Sequence, residues 1–337
     1  MIYCPLNKWV FTIWDWPCGY RAFQAVISAL VKKGWLRRIK AVGDDFNIRG
    51  MQEWTPRPSH RFVAHLVSPL RQLPPLNLRC LDWFPPLVQV RKPKTKQLDV
   101  AFMAKNWRYI KKWIWPRING LNESSKNHDY YLPRGDFDGW IRIYQGGLVG
   151  CGGRLVSGYM ALSRDDRAMI MIDEQETVQI DVVACGLRIL YALSDMEFAI
   201  GPDPYDIGLN LDREVVKAIV NHASGVGNLN SKSWPKLVIE RYPDAKALPW
   251  RVGRDTLIAK LPALAILKRD VIDWSRIQFH ESNIIIAAME KCFEQGIGCL
   301  SVHDCLIVAK VNRDVAVQLF REAFIKELQL EPEFTFE

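Results

Sequence analysis

The stretch GCLSVHDCLIVAK, residues 298–310, decides the reading of this chain. Apolar residues crowd both of its halves, and His303-Asp304 interrupts them. Short apolar runs on either side of a polar pair predict two strands and a turn. A β-hairpin is therefore expected over 298–311, with Asp304 at an exposed tip beside the sheet. An ordinary turn aspartate, with His303 as its hydrogen-bond partner, would explain an isolated pair of this kind.

A second segment weakens that explanation. In ETVQIDVVACGLRILYAL (176–193) the alternation over TVQIDVV predicts a strand that ends near Asp181, with helical spacing after it. Asp181 lies 123 residues before Asp304. Two strand-end carboxylates brought side by side can hold two Mg²⁺ ions about 3.5–4 Å apart, which activates one oxygen and stabilises another in phosphoryl or nucleotidyl transfer. Mg²⁺ takes few carboxylates when substrate phosphates complete its shell, so two aspartates suffice. A third segment, LDREVVKAIVNHASG (211–225), predicts a helix with Asp212 as N-cap. Arg213 and Lys217 are four residues apart and share one face. A solvated face paired with Glu214 is one reading. A two-cation clamp on a triphosphate, where pyrophosphate develops its charge, is the other, and the flanking carboxylates favour it. A helix over NIIIAAMEKCFEQG (283–296), stopped by Gly296, leads into the hairpin, and a last helix is expected near 314–327.

Around these segments, 337 residues suggest two domains, or one core with a large accessory region. The apolar fraction of 49% is ample for a core. No apolar run of about 18 residues exists to span a membrane. The opening MIYCPLNKWVFTIWDW lacks the charged-then-apolar order of a secretory signal, so a cytoplasmic location is expected, in a bacterial or phage-infected cell. Eight cysteines with no CxxC pair are expected as core thiols rather than as a zinc site or disulfide frame. The net charge of +8 suits either a solvated basic surface or a polyanionic partner.

Residues 1 to about 130 have their own texture. Nine of the tryptophans fall here, among basic clusters such as KKGWLRRIK, RKPKTK and NWRYIKKWIWPR. Helices are expected at 20–33 and 104–117, PLRQLPPLNLRCLDWFPP is too rich in proline for regular structure, and the polar stretch 119–136 is the linker candidate. Aromatics that stack bases among cations that track phosphates would make a single-strand platform. Core packing of a small domain explains the same tryptophans equally well.

The three segments, in this order, resemble motifs A, B and C of the A-family DNA polymerases and of the single-subunit RNA polymerases of phages and mitochondria. DVVACGLRILYAL is similar to motif A, REVVKAIVNHASG to motif B and SVHDCLIV to motif C. Upstream, GGRLVSG resembles the Gly-Arg segment that touches the template–primer duplex. The resemblance covers roughly 140–325, and the wording of the segments is most like that of compact polymerase-like proteins of phages and integrative mobile elements. It implies an α+β right-hand polymerase palm over 136–337, an antiparallel sheet with helices. A helical fingers insertion would span about 200–262, and 1–135 would be a reduced thumb or nucleic-acid-binding part. Asp181 and Asp304 would bind two Mg²⁺, which Mn²⁺ could replace, with the carbonyl of Val182 as a further ligand. His303 would orient Asp304 or meet the primer end, and Arg213 and Lys217 would grip the nucleotide's phosphates. Arg154, and Arg188 as nucleic-acid contact or structural cation, complete the set.

Four positions depart from the pattern. Gly186 stands five residues after Asp181, where DNA polymerases of the family carry a Glu that blocks a ribose 2′-hydroxyl. Gly225 stands eight after Lys217 in place of a stacking aromatic, Asn221 stands four after it, and Cys305 follows Asp304. Without either bulky group, discrimination between dNTPs and rNTPs is expected to be weak. The stretch before motif A is expected to lack room for both a proofreading exonuclease and a full thumb. The resemblance implies a template-directed nucleotidyltransferase, a DNA polymerase without proofreading and with primase-like ability. Its partners would be template, primer, nucleoside triphosphates and a helicase or small accessory replication protein. An RNA polymerase or primase proper, favoured by Gly186, and a silent palm that only binds nucleic acid, favoured by Gly225 and Cys305, are the alternatives.

Overall fold

The computed structural model describes residues 87–92, 97–198, 203–208, 211–267 and 272–337, with 21, 25, 28, 29, 32, 37–39 and 61–63 earlier in the chain. The proline-rich stretch 69–86 and the tryptophans at 9, 14, 16, 35, 54 and 83 lie outside the described residues. Within 20–33 the described residues are helical. The protein is a mixed α+β chain in two compact units, one of residues 1–120 and 141–146, the other of 121–140 and 147–337.

In the first unit, β1 (Arg37–Ile39) pairs antiparallel with β2 (Arg61–Val63). Strand β3 (Val88–Arg91) runs parallel to β5 (Ile141–Gln145), with Val88 opposite Arg142. Helix α1 (Val100–Lys105) is capped by Asp99, whose carboxylate accepts from the Phe102 N–H at 3.0 Å. A helical turn at Trp107–Tyr109, a π-helical turn at Ile110–Ile114 and α2 (Trp115–Ser125) follow without a break.

The second unit is built on one sheet. Its strands are β4 (Tyr130–Tyr131), β7 (Met171–Ile172), β8 (Gln175–Val182), β9 (Cys299–Val302), β10 (Cys305–Ala309) and β11 (Phe334–Phe336), in the order β4-β7-β8-β10-β9 with β11 also on β8. Every pairing is antiparallel. The expected alternation of β8 places Val178 and Ile180 in the core, and Gln179 is buried as well. The Gln179 side chain stays satisfied by accepting from Arg167 Nε at 3.3 Å, as a buried amide must. All five residues of β10 are buried, so the strand is covered on both faces.

The polar stretch 119–136 contains the end of α2 and the strand β4, rather than running as coil. Strand β6 (Gly152–Val156) and the short α3 (Arg164–Ala168) precede β8. Helix α4 (Cys185–Leu193) begins four residues past Asp181. Between 211 and 267 the described elements are all helical: α5 (Arg213–Val226), α6 (Lys236–Arg241), α7 (Trp250–Lys260) and two 3₁₀ turns. The Asp212 carboxylate accepts from the Glu214 N–H at 2.7 Å, and Gly227 ends α5 at φ +74°. Helix α8 (Trp274–Glu294) begins nine residues before the expected start. The Asp273 carboxylate accepts from the Ser275 and Arg276 N–H groups, which satisfies donors that would otherwise be orphaned. Gly296, at φ +69°, ends the run as expected, and α9 (Arg313–Leu328) closes the core behind the sheet.

Candidate active site

Register brings the two aspartates together. Cys305 of β10 lies opposite Asp181 of β8, so Asp304, the residue before Cys305, stands at the same end of the sheet. The hairpin turns in two residues, His303 and Asp304, between the paired Val302 and Cys305. His303 takes φ +59°, a left-handed conformation that histidine enters more readily than most residues. The turn is pinned from below. Tyr159 donates to the Ser301 carbonyl at 2.7 Å and accepts from the Ser301 N–H at 3.0 Å and from Trp140 Nε1 at 2.9 Å. A second left-handed residue, Ala184 at φ +51°, lies three residues past Asp181 where β8 gives way to α4. Such conformations cost about 1 kcal/mol or more and persist where the surroundings enforce them.

The tip is less exposed than the sequence implied. Asp304 is half-buried and densely surrounded, because β8, α5 and α8 all approach it, and only His303 is exposed. Burial pushes the Asp181 carboxyl up to about 6, and the charges of Asp304 and Glu337 add to the rise while Lys217 and Arg167 oppose it. Burial also raises Asp304, against its own N–H, Arg154 and Lys217. The site therefore concentrates negative charge that the chain compensates in part. Burial, followed by the guanidiniums of Arg154 and Arg167, drives His303 down to about 4 even though the residue keeps part of its surface in solvent. The ring is neutral near neutral pH, and no hydrogen bond joins it to Asp304.

Lys217 is the cation common to both aspartates, since it lowers the pKa of each. Arg213, expected beside it as a second phosphate clamp, is otherwise engaged. Its Nε contacts Asp203 at 2.7 Å, its NH1 contacts Glu214 at 3.0 Å, and its guanidinium covers the Tyr205 ring at 5.2 Å. Asn221 and Gly225 lie on exposed positions of α5, and a Cβ at Gly225 would meet open space. Gly186 sits in the first turn of α4, where a Cβ would touch Ile277 at an ordinary 3.7 Å. Val182 is buried on β8, opposite Phe334 of β11.

Arg188 does not reach outward as a nucleic-acid contact would require. It is 4% exposed, donates to the carbonyls of Val183 and Glu331 at 2.9 Å each, pairs with Glu333 at 3.2 Å and covers Phe198. It ties the segment leading into β11 onto the end of β8, which is the structural half of its expected role. Cys305 and Cys185 have thiols pushed far up by burial, so they act as small apolar side chains.

The sequence reading missed three residues. Glu281 of α8, 6% exposed, forms a two-pronged pair with Arg154, at 2.8 Å to Nε and 3.0 Å to NH2. Burial and then the charge of Asp304 lift its carboxyl to about 7 despite Arg154. Its signal was present: Glu281 lies four residues after Ile277 and three before Ile284, on the apolar stripe of the helix. Arg167 and Glu337 also bear on Asp181. They come from α3 and the end of β11, which no local pattern connects to it.

Among the described residues no cluster of three or more His, Cys, Asp or Glu could hold a metal unaided. Asp181 and Asp304 nevertheless fit a hard divalent cation. They are oxygen donors at one end of the sheet, both raised first by burial, and a cation between them would offset that burial and the Asp304 charge that adds to the rise at Asp181. Among the described residues no helix is long and apolar enough to cross a membrane.

No family model matches the chain, and no curated protein does. Among solved structures, the POL domain of Pol1 from M. smegmatis, in complex with DNA primer-template and dNTP, aligns over 74% of this chain at 15% identity and a TM-score of 0.38. The chain spans 57% of that protein's length.

Proposed function

We propose that the second unit is a template-directed nucleotidyltransferase that joins a 3′-hydroxyl to a nucleoside triphosphate and releases pyrophosphate. One observation carries this reading: the register of β8 against β10 sets Asp181 and Asp304 side by side, with Lys217 acting on both. In the step, the new bond joins the 3′-oxygen to the α-phosphorus as the bond to pyrophosphate breaks. The hydroxyl's proton leaves to solvent.

Asp181 and Asp304, aided by the Val182 carbonyl, would hold two Mg²⁺ or Mn²⁺, which supply Lewis acidity to the attacking and leaving oxygens. The remaining roles belong to the chain. Lys217 places positive charge where the triphosphate would sit and stabilises the charge that develops there. Arg154, held by its two bonds to Glu281, lies beside His303, and the pair would meet the sugar or base edge of a primer end. His303, neutral, can accept or donate one hydrogen bond there without adding charge. With Gly186 and Gly225 lacking side chains, nothing at those positions would exclude a 2′-hydroxyl, and the reading includes relaxed sugar selection and primase-like initiation.

A binding-only palm is favoured by one observation: Arg213 is spent on Asp203 and Glu214. Asp304→Ala separates the two readings. An enzyme loses Mg²⁺-dependent nucleotide incorporation while template affinity holds within about twofold, as expected for distant, independent contacts. A wild-type chain that binds template and incorporates nothing under any metal would overturn the enzyme reading.

A further inference from the structure

We propose that the helical segment from Lys105 to Trp113 is a docking face for single-stranded nucleic acid, with a base stacked on Trp113. The inference stands on the first unit alone and does not rest on the active-site reading.

The segment is amphipathic in an unusual sense. Ile110, Ile114 and Ile118, each four residues from the next, are buried at 0%, 6% and 0% exposure. Residues four apart share a face, so this stripe forms the buried side of the segment. The opposite side carries Lys105, Arg108, Tyr109, Lys111, Lys112 and Trp113, all exposed. Tyr109 and Trp113 are again four apart, and they keep 45% and 58% of their surface in solvent. Trp107 and Trp115, their neighbours, are half-buried, so core packing explains those two rings and leaves Trp113 unexplained. From Val100 to Asn122 the chain has five cations and no carboxylate. Lys112 Nζ lies over the Trp113 ring, 4.6 Å from its centre, so a cation holds one face and a base would stack on the other. The π-helical turn at 110–114 underlies this face, and such turns recur at functional sites.

Exposed aromatics interleaved with cations match a ligand with both π faces and phosphates, which is an unpaired strand. In a duplex the bases are stacked on one another and closed to Trp113, leaving only phosphate contacts. A lipid surface shares the phosphate chemistry, but insertion needs an exposed apolar face, and the apolar face of this helix is already buried.

The test is fluorescence anisotropy with the full chain, in EDTA and without nucleotide, using a labelled oligo(dT) of about 20 nucleotides, several times the site size of one small fold. Trp113→Ala is expected to weaken binding about tenfold, and Trp113→Phe to retain most of it, since a smaller ring still stacks. Lys111→Ala with Lys112→Ala should make the slope of log K against log salt shallower by about 1.4, two phosphates at about 0.7 each for a single strand. Affinity for a duplex of the same length should be unchanged by Trp113→Ala. The proposal is overturned if Trp113→Ala binds oligo(dT) like the wild type, if Trp113→Phe fails as badly as Ala, or if the salt slope does not move. It is equally overturned if the duplex loses as much, or if Trp113→Ala instead abolishes binding to phosphatidylserine-containing vesicles.

Discussion

Removing Arg154 should cost far more than removing its partner, and the difference should vanish in mild acid. Arg154→Met leaves Glu281, whose side chain is 7% exposed, without its two-pronged partner and facing the charge of Asp304. Breaking a buried pair in this way costs about 3–5 kcal/mol, because an uncompensated charge stays behind. Glu281→Gln leaves Arg154, whose side chain is 30% exposed and can rehydrate. The amide oxygen also still accepts from the guanidinium, so about 1 kcal/mol is expected. The pH dependence follows from the direction of the shift. Glu281 ionises at about 7 in the fold against 4.5 when unperturbed, so between those values the folded state binds more protons than the unfolded. Its contribution is therefore fully present in acid and is lost as pH rises through the folded value. Without Arg154 that value climbs further, so Arg154→Met suffers at about pH 8 and recovers near about pH 5.5, where Glu281 is neutral with or without a partner. Urea unfolding in EDTA at the two pH values reads both effects as midpoint shifts. Equal deficits for the two variants at the higher pH, or an Arg154→Met deficit that persists in acid, would refute the reasoning.

Three other expectations concern the same unit. Asp304→Asn removes a carboxylate that raises both Asp181 and Glu281, so the variant should be inactive in Mg²⁺ yet, compared without metal, more stable than the wild type at about pH 8, by roughly 1–2 kcal/mol; a lower melting temperature in EDTA would contradict this. The wild type should prefer dNTPs over rNTPs by less than about a thousandfold, some 4 kcal/mol. Gly186→Glu should raise that preference, as its Cβ meets only an ordinary contact with Ile277; competing incorporation rates decide it, and a strong preference in the wild type sinks the idea. Arg188→Met should destabilise by about 1–3 kcal/mol, since it removes the donors to the part-buried carbonyls of Val183 and Glu331, while the salt slope of nucleic-acid binding stays where it was. A shallower slope would restore Arg188 to the nucleic-acid surface.

The parts of the fold that could be read in advance are those whose signal is local. Asp181 ends an alternating run, Asp304 interrupts an apolar one, Asp212 precedes a periodic helix, and each stands in the element expected of it. Residues whose roles depend on distant segments were hidden. Asp203 takes Arg213 from ten residues upstream, through a stretch with no periodicity. Glu337 reaches Asp181 because a three-residue strand pairs on the far side of β8, and three residues are too few to show a period. The first two turns of α8 went unread because their start is announced by one cap, Asp273, ahead of a mostly polar run. Glu281 was visible as a charge on an apolar stripe, although its partner on β6 was not. Trp113 shows the opposite limit: composition alone could not tell an exposed tryptophan from the half-buried ones around it.

The central claim is that Asp181 and Asp304 form a metal-dependent nucleotidyl-transfer centre. The most direct measurement is nucleotide incorporation on a single-stranded template in Mg²⁺, with and without primer and with dNTPs and rNTPs supplied separately, for the wild type, Asp181→Ala and Asp304→Ala. Product that forms in the wild type, stops in EDTA and falls at least about a thousandfold in each variant is the predicted result, a loss of roughly 4 kcal/mol of transition-state stabilisation. Synthesis that survives either substitution, or that continues in EDTA, would contradict it.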